Sequence, residues 1–230
     1  MNKSIVVSRN SAWSVLNFHS DLLHALAREG YNIHIIAEAD GFEEKINNLG
    51  FKFYHIDLKS RNINPIKECI AFIRFLILLH RIKPIFFLAF TMRPNVFGSI
   101  ACKLMGINYI NNITGMGKAF NSKKILPYIM SIFLKFSLSQ SKFIFFQNSN
   151  DLATFKKLKI ITDSSKTRIL PGSGVNLKRF HKLEKSRKLA SFNFTFIGRL
   201  VWQKGIEEFI LSAKQTKRDL HDTRFFVIGP

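Results

Sequence analysis

The stretch SIVVSRNSAWSVLNFHSDLLHALAREGYNIHIIA, residues 4–37, decides the fold. It opens on a short apolar run, Ser4-Ile-Val-Val-Ser8, passes through a helical pattern over 13–28, stops at Gly30 and returns to an apolar run over 32–37. Gly30 sits where a helix needs a left-handed cap. Two short apolar runs joined by one helix predict a parallel βαβ unit.

The same alternation continues outward from this stretch. A helix over 42–49 ended by Gly50 precedes a strand at 52–56. Pro65, tolerated in a first helical turn, opens a helix to about 82, and Pro84 marks its end. Then follow a strand at 85–89, a helix at 95–105 stopped by Gly106, and a strand at 107–111. A helix at 126–139, a strand at 143–147, a helix at 151–158 and a strand at 167–170 complete the pattern. Together they predict one doubly wound α/β domain over 1–180. Polar, basic residues over 181–190 read as a linker. A second unit over 191–230 has a strand at 192–197, a helix at 205–214 and a strand at 224–228, and two strands are too few to close a separate core.

Lys+Arg 35 against Asp+Glu 15 gives a net charge of +20, which favours an anionic partner: nucleic acid, anionic lipid or a phosphorylated substrate. The excess is scattered, with clusters at Lys123-Lys124, Lys156-Lys157-Lys159, Lys178-Arg179 and 185–188. The charge motivates one rival reading, a non-enzymatic nucleic-acid-binding α/β module; against it, no nucleic-acid motif is present and the aromatics fall mainly on strand and core positions rather than between exposed basics, so the expected partners include no nucleic acid. Cys69 and Cys102 lie far apart in predicted helices and read as reduced, buried thiols. The N-terminus has no long apolar signal region, which argues against export. The apolar stretches 70–79 and 125–138 are interrupted by Arg74 and Lys135, too soon to span a bilayer. The second is apolar all round with basic edges, a pattern that fits both burial in protein and a place in a membrane interface.

In an open α/β sheet ligands sit beyond the carboxyl ends of the strands. The residues there are Ser8-Arg9-Asn10, Thr91-Met92-Arg93-Pro94-Asn95, Asn112-Ile-Thr-Gly-Met-Gly117, Gln147-Asn148-Ser149, Pro171-Gly-Ser-Gly174 and Gly198-Arg199. Asn95, Asn148 and Ser149 also suit ordinary helix N-caps. The strongest signal is Phe194-Thr-Phe-Ile-Gly-Arg-Leu-Val-Trp-Gln-Lys-Gly205, a strand, a glycine, then an arginine and a lysine five residues apart before a helix. Gly198 lets the backbone pass close to a ligand, Arg199 offers a forked donor and Lys204 a point charge, beside a helix N-terminus: a clamp for diphosphate oxygens. Other signatures fail. No G-x-G-x-x-G follows the first strand, and the partial P-loop at Gly117-Lys118 has Asn112 and Ala119 where Walker A needs glycine and a hydroxyl residue. The seven histidines have no paired ligand spacing; His19, His24 and His34 read as ordinary helix or strand residues.

Gly198-Arg199-Leu200 with Lys204-Gly205 resembles the G-R-L-x-x-x-K-G motif of retaining glycosyltransferase family 4, of GT-B fold. Asn112-Ile-Thr-Gly-Met-Gly-Lys-Ala-Phe120 and Leu170-Pro-Gly-Ser-Gly-Val-Asn-Leu-Lys-Arg-Phe180 are similar to further segments of that family. Trp13-Ser14-Val-Leu-Asn17-Phe18 and Thr91-Met-Arg-Pro-Asn95 resemble its members that build capsule, lipopolysaccharide and other lipid-linked glycans. The resemblance implies transfer of a sugar from a UDP- or GDP-sugar, as substrate rather than cofactor, to a lipid-linked saccharide at the inner face of the bacterial cytoplasmic membrane. It implies retention, no metal and peripheral contact with an anionic membrane surface. Gly198, Arg199 and Lys204 would bind the donor, with Arg199 and Lys204 catalytic through charge on the leaving diphosphate. Ser11, Asn17, Thr91, Asn95, Thr114 and Gly115 would face the acceptor side or cleft. The acceptor-side histidine common in the family is missing from Thr91-Met92-Arg93. The family's E-x7-E pair would fall beyond Pro230, so the 230-residue chain alone is expected to be inactive.

Overall fold

The computed structural model describes residues 3–58, 64–116, 126–182 and 192–229. It divides into two compact units, Met1–Leu177 and Lys178–Pro230. Gly117 to Phe120, Lys123, Lys124 and most of the expected linker lie outside the described residues.

The first unit is a parallel seven-stranded sheet of order β3-β2-β1-β4-β5-β6-β7. Its strands are β1 (Ser4–Ser11), β2 (Asn32–Glu38), β3 (Lys52–His55), β4 (Phe86–Phe90), β5 (Asn108–Ile113), β6 (Phe143–Phe146) and β7 (Thr167–Ile169). Between them run α1 (Ala12–Arg28), α2 (Glu43–Asn48), α3 (Pro65–Ile82), α4 (Ser99–Met105), α5 (Leu126–Leu138) and α6 (Ser149–Lys157). Side chains alternate across a strand, and the two faces of β1 divide accordingly. Ile5 and Val7 pack with Val15 and Leu23 of α1 and Ile46 of α2. Val6, on the opposite face, packs with Ala71, Phe75 and Leu79 of α3 and Ala101 of α4. α5 joins this second layer through Leu134 and Leu138 against Ile113 and Phe146.

Local chemistry sets the helix ends. Asn64 accepts from the backbone N–H of Ile66 at 3.0 Å, with Pro65 at the first helical position of α3. Asn148 caps α6 through the Asp151 N–H at 2.7 Å, as its position suggests, and Ser149 is the first helical residue. Asn95 is not a cap: it lies inside a π-helical turn, Pro94–Gly98, that runs into α4. That turn presses on the sheet at Gly98, where an added Cβ would collide with the Phe87 ring.

Two expectations are corrected here. β1 does not stop at Ser8 but runs to Ser11 across a register shift, because Ser8 donates to the Ile36 carbonyl at 2.7 Å and Ser11 pairs again with Glu38. Cys69 is exposed; only Cys102 is buried, and burial raises its thiol pKa. Arg74 and Cys69 share the outer side of α3, so the apolar residues around them are not all core.

The second unit pairs β8 (Phe192–Ile197) with β9 (Thr223–Ile228) in parallel through α7 (Ile206–Asp219). α7 extends five residues past the expected end at 214. No breaker intervenes, and Lys217 and Arg218 in the last turn, with Glu207 and Glu208 in the first, complement the helix dipole. Aromatic contacts join these elements: Phe194 stacks on Phe225 at 5.0 Å and Phe209 meets Phe196 at 5.6 Å. Among the described residues of this unit only Thr223 is buried.

Candidate functional site

The chain leaves β1 for β2 and β3 on one side, then crosses to β4 on the other, so the topological switch point lies between β1 and β4. The carboxyl ends of these two strands form the candidate edge. Here Thr91 Oγ1 donates to Asn10 Oδ1 at 2.7 Å, joining the two strand ends across the switch. Thr91 has φ 73, a left-handed backbone that a β-branched residue adopts only at a cost. Such strain concentrates at functional sites.

Ser11 ends β1 and caps α1, accepting from the Ser14 N–H at 3.3 Å. Asp40, just past β2, accepts the Trp13 N–H on both carboxylate oxygens at 3.0 and 3.2 Å. A carboxylate already occupies the positive end of α1, so that helix end is a poor seat for a phosphate. Asn17 is exposed one turn along α1 and donates to the Trp13 carbonyl at 2.9 Å. Trp13 and Phe18, both exposed, meet edge-on at 5.9 Å. Thr114 and Gly115 follow β5, half-buried, with Gly115 at φ 147.

Beneath this edge lie polar side chains that hold it. Arg9 Nη1 donates to His19 Nε2 at 2.6 Å, and its guanidinium lies 4.6 Å from the Phe18 ring. His19 packs on Phe90 and is held neutral: burial, then the Arg9 charge, push its pKa down to about 3. Asn95 is 1% exposed, and its Nδ2 donates to the Asn112 carbonyl at 2.9 Å. Asn111 Nδ2 donates to Asn95 Oδ1 at 2.8 Å and to Ser99 Oγ at 2.7 Å. Asn95 therefore supports the edge from inside. The buried Oδ1 atoms of Asn111 and Asn112 have no hydrogen-bond partner among the described residues.

The clamp candidates lie in the second unit. The β8 end pairs through Gly198 N–H to the Ile228 carbonyl at 3.0 Å. A Cβ at Gly198 would meet only Phe196, at 3.6 Å; the tight approach is that of Gly229, whose added Cβ would strike the Gly198 carbonyl. Arg199 and Lys204 are exposed, and neither forms an ion pair among the described residues. Lys204 closes a 3-10 turn, Trp202–Lys204, and Gly205 enters α7 at φ 77. No side chain caps α7, yet Glu207 and Glu208 stand in its first turn and weaken its pull on an anion. Arg199 and Lys204 are the exposed cations that this loop presents.

The sequence placed Arg9 and Asn10 at the candidate edge without giving either a role, marked His19 only as an ordinary helix or strand residue, and did not single out Asp40. Arg9-Asn10 was visible as polar residues directly after a strand, and Asp40 as an acid just past β2. Nothing in the pattern set His19 apart, because its role depends on an arginine ten residues away. Among the described residues no group of three or more His, Cys, Asp or Glu side chains is placed to hold a metal ion. No described helix is long and apolar enough to cross a membrane.

A doubly wound sheet with a polar switch-point edge, followed by a second βαβ unit, is the arrangement of the GT-B-like fold class. Residues 5–148 match the Glycosyl transferase 4-like family, and the chain belongs to it. It is 21% identical over 220 residues to N,N'-diacetylbacillosaminyl-diphospho-undecaprenol alpha-1,3-N-acetylgalactosaminyltransferase of Campylobacter jejuni, covering 89% of this chain and 58% of that protein. The chain thus spans little more than half the length of this curated relative. Among solved structures, the Anabaena HepE protein in complex with UDP and glucose superposes with a TM-score of 0.70 at 11% identity, over 99% of this chain and 61% of that one. A Rickettsia africae glycosyltransferase gives 0.63 at 13%, over 99% and 69%. UDP-GlcNAc 2-epimerase from Neisseria meningitidis gives 0.62 at 12%, over 97% and 64%. Transferases and epimerases share this fold, so the fold alone does not choose between them.

Proposed function

We propose that the chain is the acceptor-side domain and the opening of the donor domain of a retaining, metal-independent glycosyltransferase. It moves a sugar from a UDP- or GDP-sugar to a lipid-linked saccharide at the inner face of the bacterial cytoplasmic membrane. The observation that carries this reading is the family membership of residues 5–148 on a unit whose switch-point edge joins Asn10 to Thr91. The name of the Campylobacter relative, which specifies an undecaprenyl-diphosphate-linked acceptor, supports the acceptor class. The UDP and UDP-sugar held by structural neighbours support the donor class.

In this reading Ser11, Asn17, Thr91, Thr114 and Gly115, with Asn10, face the acceptor. Arg199 and Lys204 hold the donor diphosphate and stabilise the charge that grows on it as the glycosidic bond breaks, so no dedicated acid is required. Peripheral contact with anionic lipid comes through the 123–142 region, where α5 buries Leu134 and Leu138 and leaves Ile132, Phe133 and Phe136 exposed beside Lys135.

The test is sugar transfer to a polyprenyl-diphosphate-linked saccharide, with UDP- and GDP-sugars as donors. Residues 1–230, which span 58% of the length of the Campylobacter transferase, should give no product on their own. The chain extended by the remaining donor domain of the Campylobacter relative should transfer sugar. In that protein Arg199→Ala should cost about 2 to 4 kcal/mol of transition-state stabilisation. Unchanged turnover in both Arg199→Ala and Lys204→Ala would sink the clamp.

A further inference from the structure

α3 carries a feature that neither the sheet edge nor the donor loop explains. Its inner side is core: Ala71, Phe75, Leu79 and Ile82 are buried. Its outer side is also apolar. Ile66, Ile70, Ile73 and Ile77 are 72%, 48%, 52% and 60% exposed, at spacings of four, three and four residues. That spacing aligns them in one stripe along a helix about 27 Å long. Lys67, Arg74 and Arg81, seven residues apart and exposed, form a parallel row beside the stripe. The only acid of α3, Glu68, does not balance them: it takes Arg93 Nε at 3.0 Å and Nη2 at 2.6 Å.

We propose that the outer face of α3 is a membrane-docking surface that lies in the headgroup region of an anionic bilayer. An apolar stripe that no described residue covers, flanked by a basic row, is the chemistry of an interfacial helix, and each basic residue near an anionic surface adds attraction. A second copy of the chain fits less well. An isologous pairing of two such faces sets basic row against basic row, in a molecule of net charge +20. α3 and α5 lie in the same layer on the sheet, with α4 between them, so the exposed apolar side of α5 continues the surface.

Docking through α3 also orients the candidate edge. Arg93, two residues past Thr91, donates to Glu68 in the first turn of α3 and to the Leu58 carbonyl at 2.8 Å. The stripe therefore begins within one turn of the residue tied to the switch-point loop, which sets a membrane-anchored acceptor headgroup close to Asn10 and Thr91. This orientation rests on the function proposed above. The docking itself does not, and fails or stands without any transfer assay.

Cys69 supplies the reporter. It is exposed on the outer side of α3 next to the stripe, whereas Cys102 is buried with its pKa raised, so a thiol-reactive environment-sensitive fluorophore labels α3 in the native 230-residue chain. The labelled chain is mixed with phosphatidylcholine vesicles with or without phosphatidylglycerol. We expect co-sedimentation and blue-shifted emission, quenched by nitroxide lipid, only with phosphatidylglycerol. Lys67→Gln, Arg74→Gln and Arg81→Gln together should weaken partition at least about tenfold, with an unchanged circular dichroism spectrum. Co-sedimentation with the label still in water would overturn the assignment, as would binding indifferent to lipid charge or no binding. A blue shift that appears without lipid as protein concentration rises would identify a second copy as the occupant instead.

Discussion

Thr91 holds a left-handed backbone, at a cost of order 1 to 3 kcal/mol, and gains a hydrogen bond to Asn10 worth about 1 kcal/mol. Thr91→Gly loses the bond but relieves the strain, so stability should shift by no more than about 1 kcal/mol. Thr91→Val keeps the strain and loses the bond, and should be the less stable of the two by urea unfolding. The reverse order would remove the strain from the account. His19 is a separate case. Its folded pKa, about 3, lies below the ordinary 6.5, so the unfolded chain binds the proton more readily. Its contribution is whole above about pH 6.5 and is lost as pH falls toward 3. His19→Gln retains an acceptor for Arg9 and removes the titration. The drop in unfolding midpoint from about pH 7 to about pH 4.5 should therefore be smaller in the variant than in the native chain; an equal drop would place the acid sensitivity elsewhere.

Among the elements, the π-helical turn is the most constrained. Gly98→Ala drives a methyl into the buried Phe87 ring, whose Cε1 would stand 2.6 Å away. Overpacking of this kind costs about 1 to 3 kcal/mol. Pairing it with Phe87→Leu should recover part of that loss in a double-mutant cycle, and simple additivity would mean that the two do not meet. This turn also shows what a sequence can and cannot carry. Strands and helices were legible where punctuation was strong: Pro65 and Pro84 bracket α3, and Gly106 ends α4 at φ 67. The π turn was not, because Asn95 looks like an N-cap until Asn111, sixteen residues on, is seen to bond it. The Thr91–Asn10 link was invisible for the same reason, since 81 residues separate the partners. Composition marked α5 and α3 as apolar. Which side of each faces the sheet required the packing of Leu134 and Phe75.

For the whole molecule, the charge of +20 favours an anionic partner without choosing one. The two units differ in where their charge stands: the first has a carboxylate, Asp40, at the positive end of α1, and the second presents Arg199 and Lys204 with no ion-pair partner among the described residues. The central claim, that 198–205 is a diphosphate clamp, is tested most directly by following backbone amide resonances while UDP- and GDP-sugars are titrated into the chain to millimolar concentration. The account predicts perturbations centred on Gly198, Arg199, Lys204 and Gly205 that vanish when Arg199→Ala and Lys204→Ala are combined. No perturbation in this loop, or one that survives the double substitution, would contradict it.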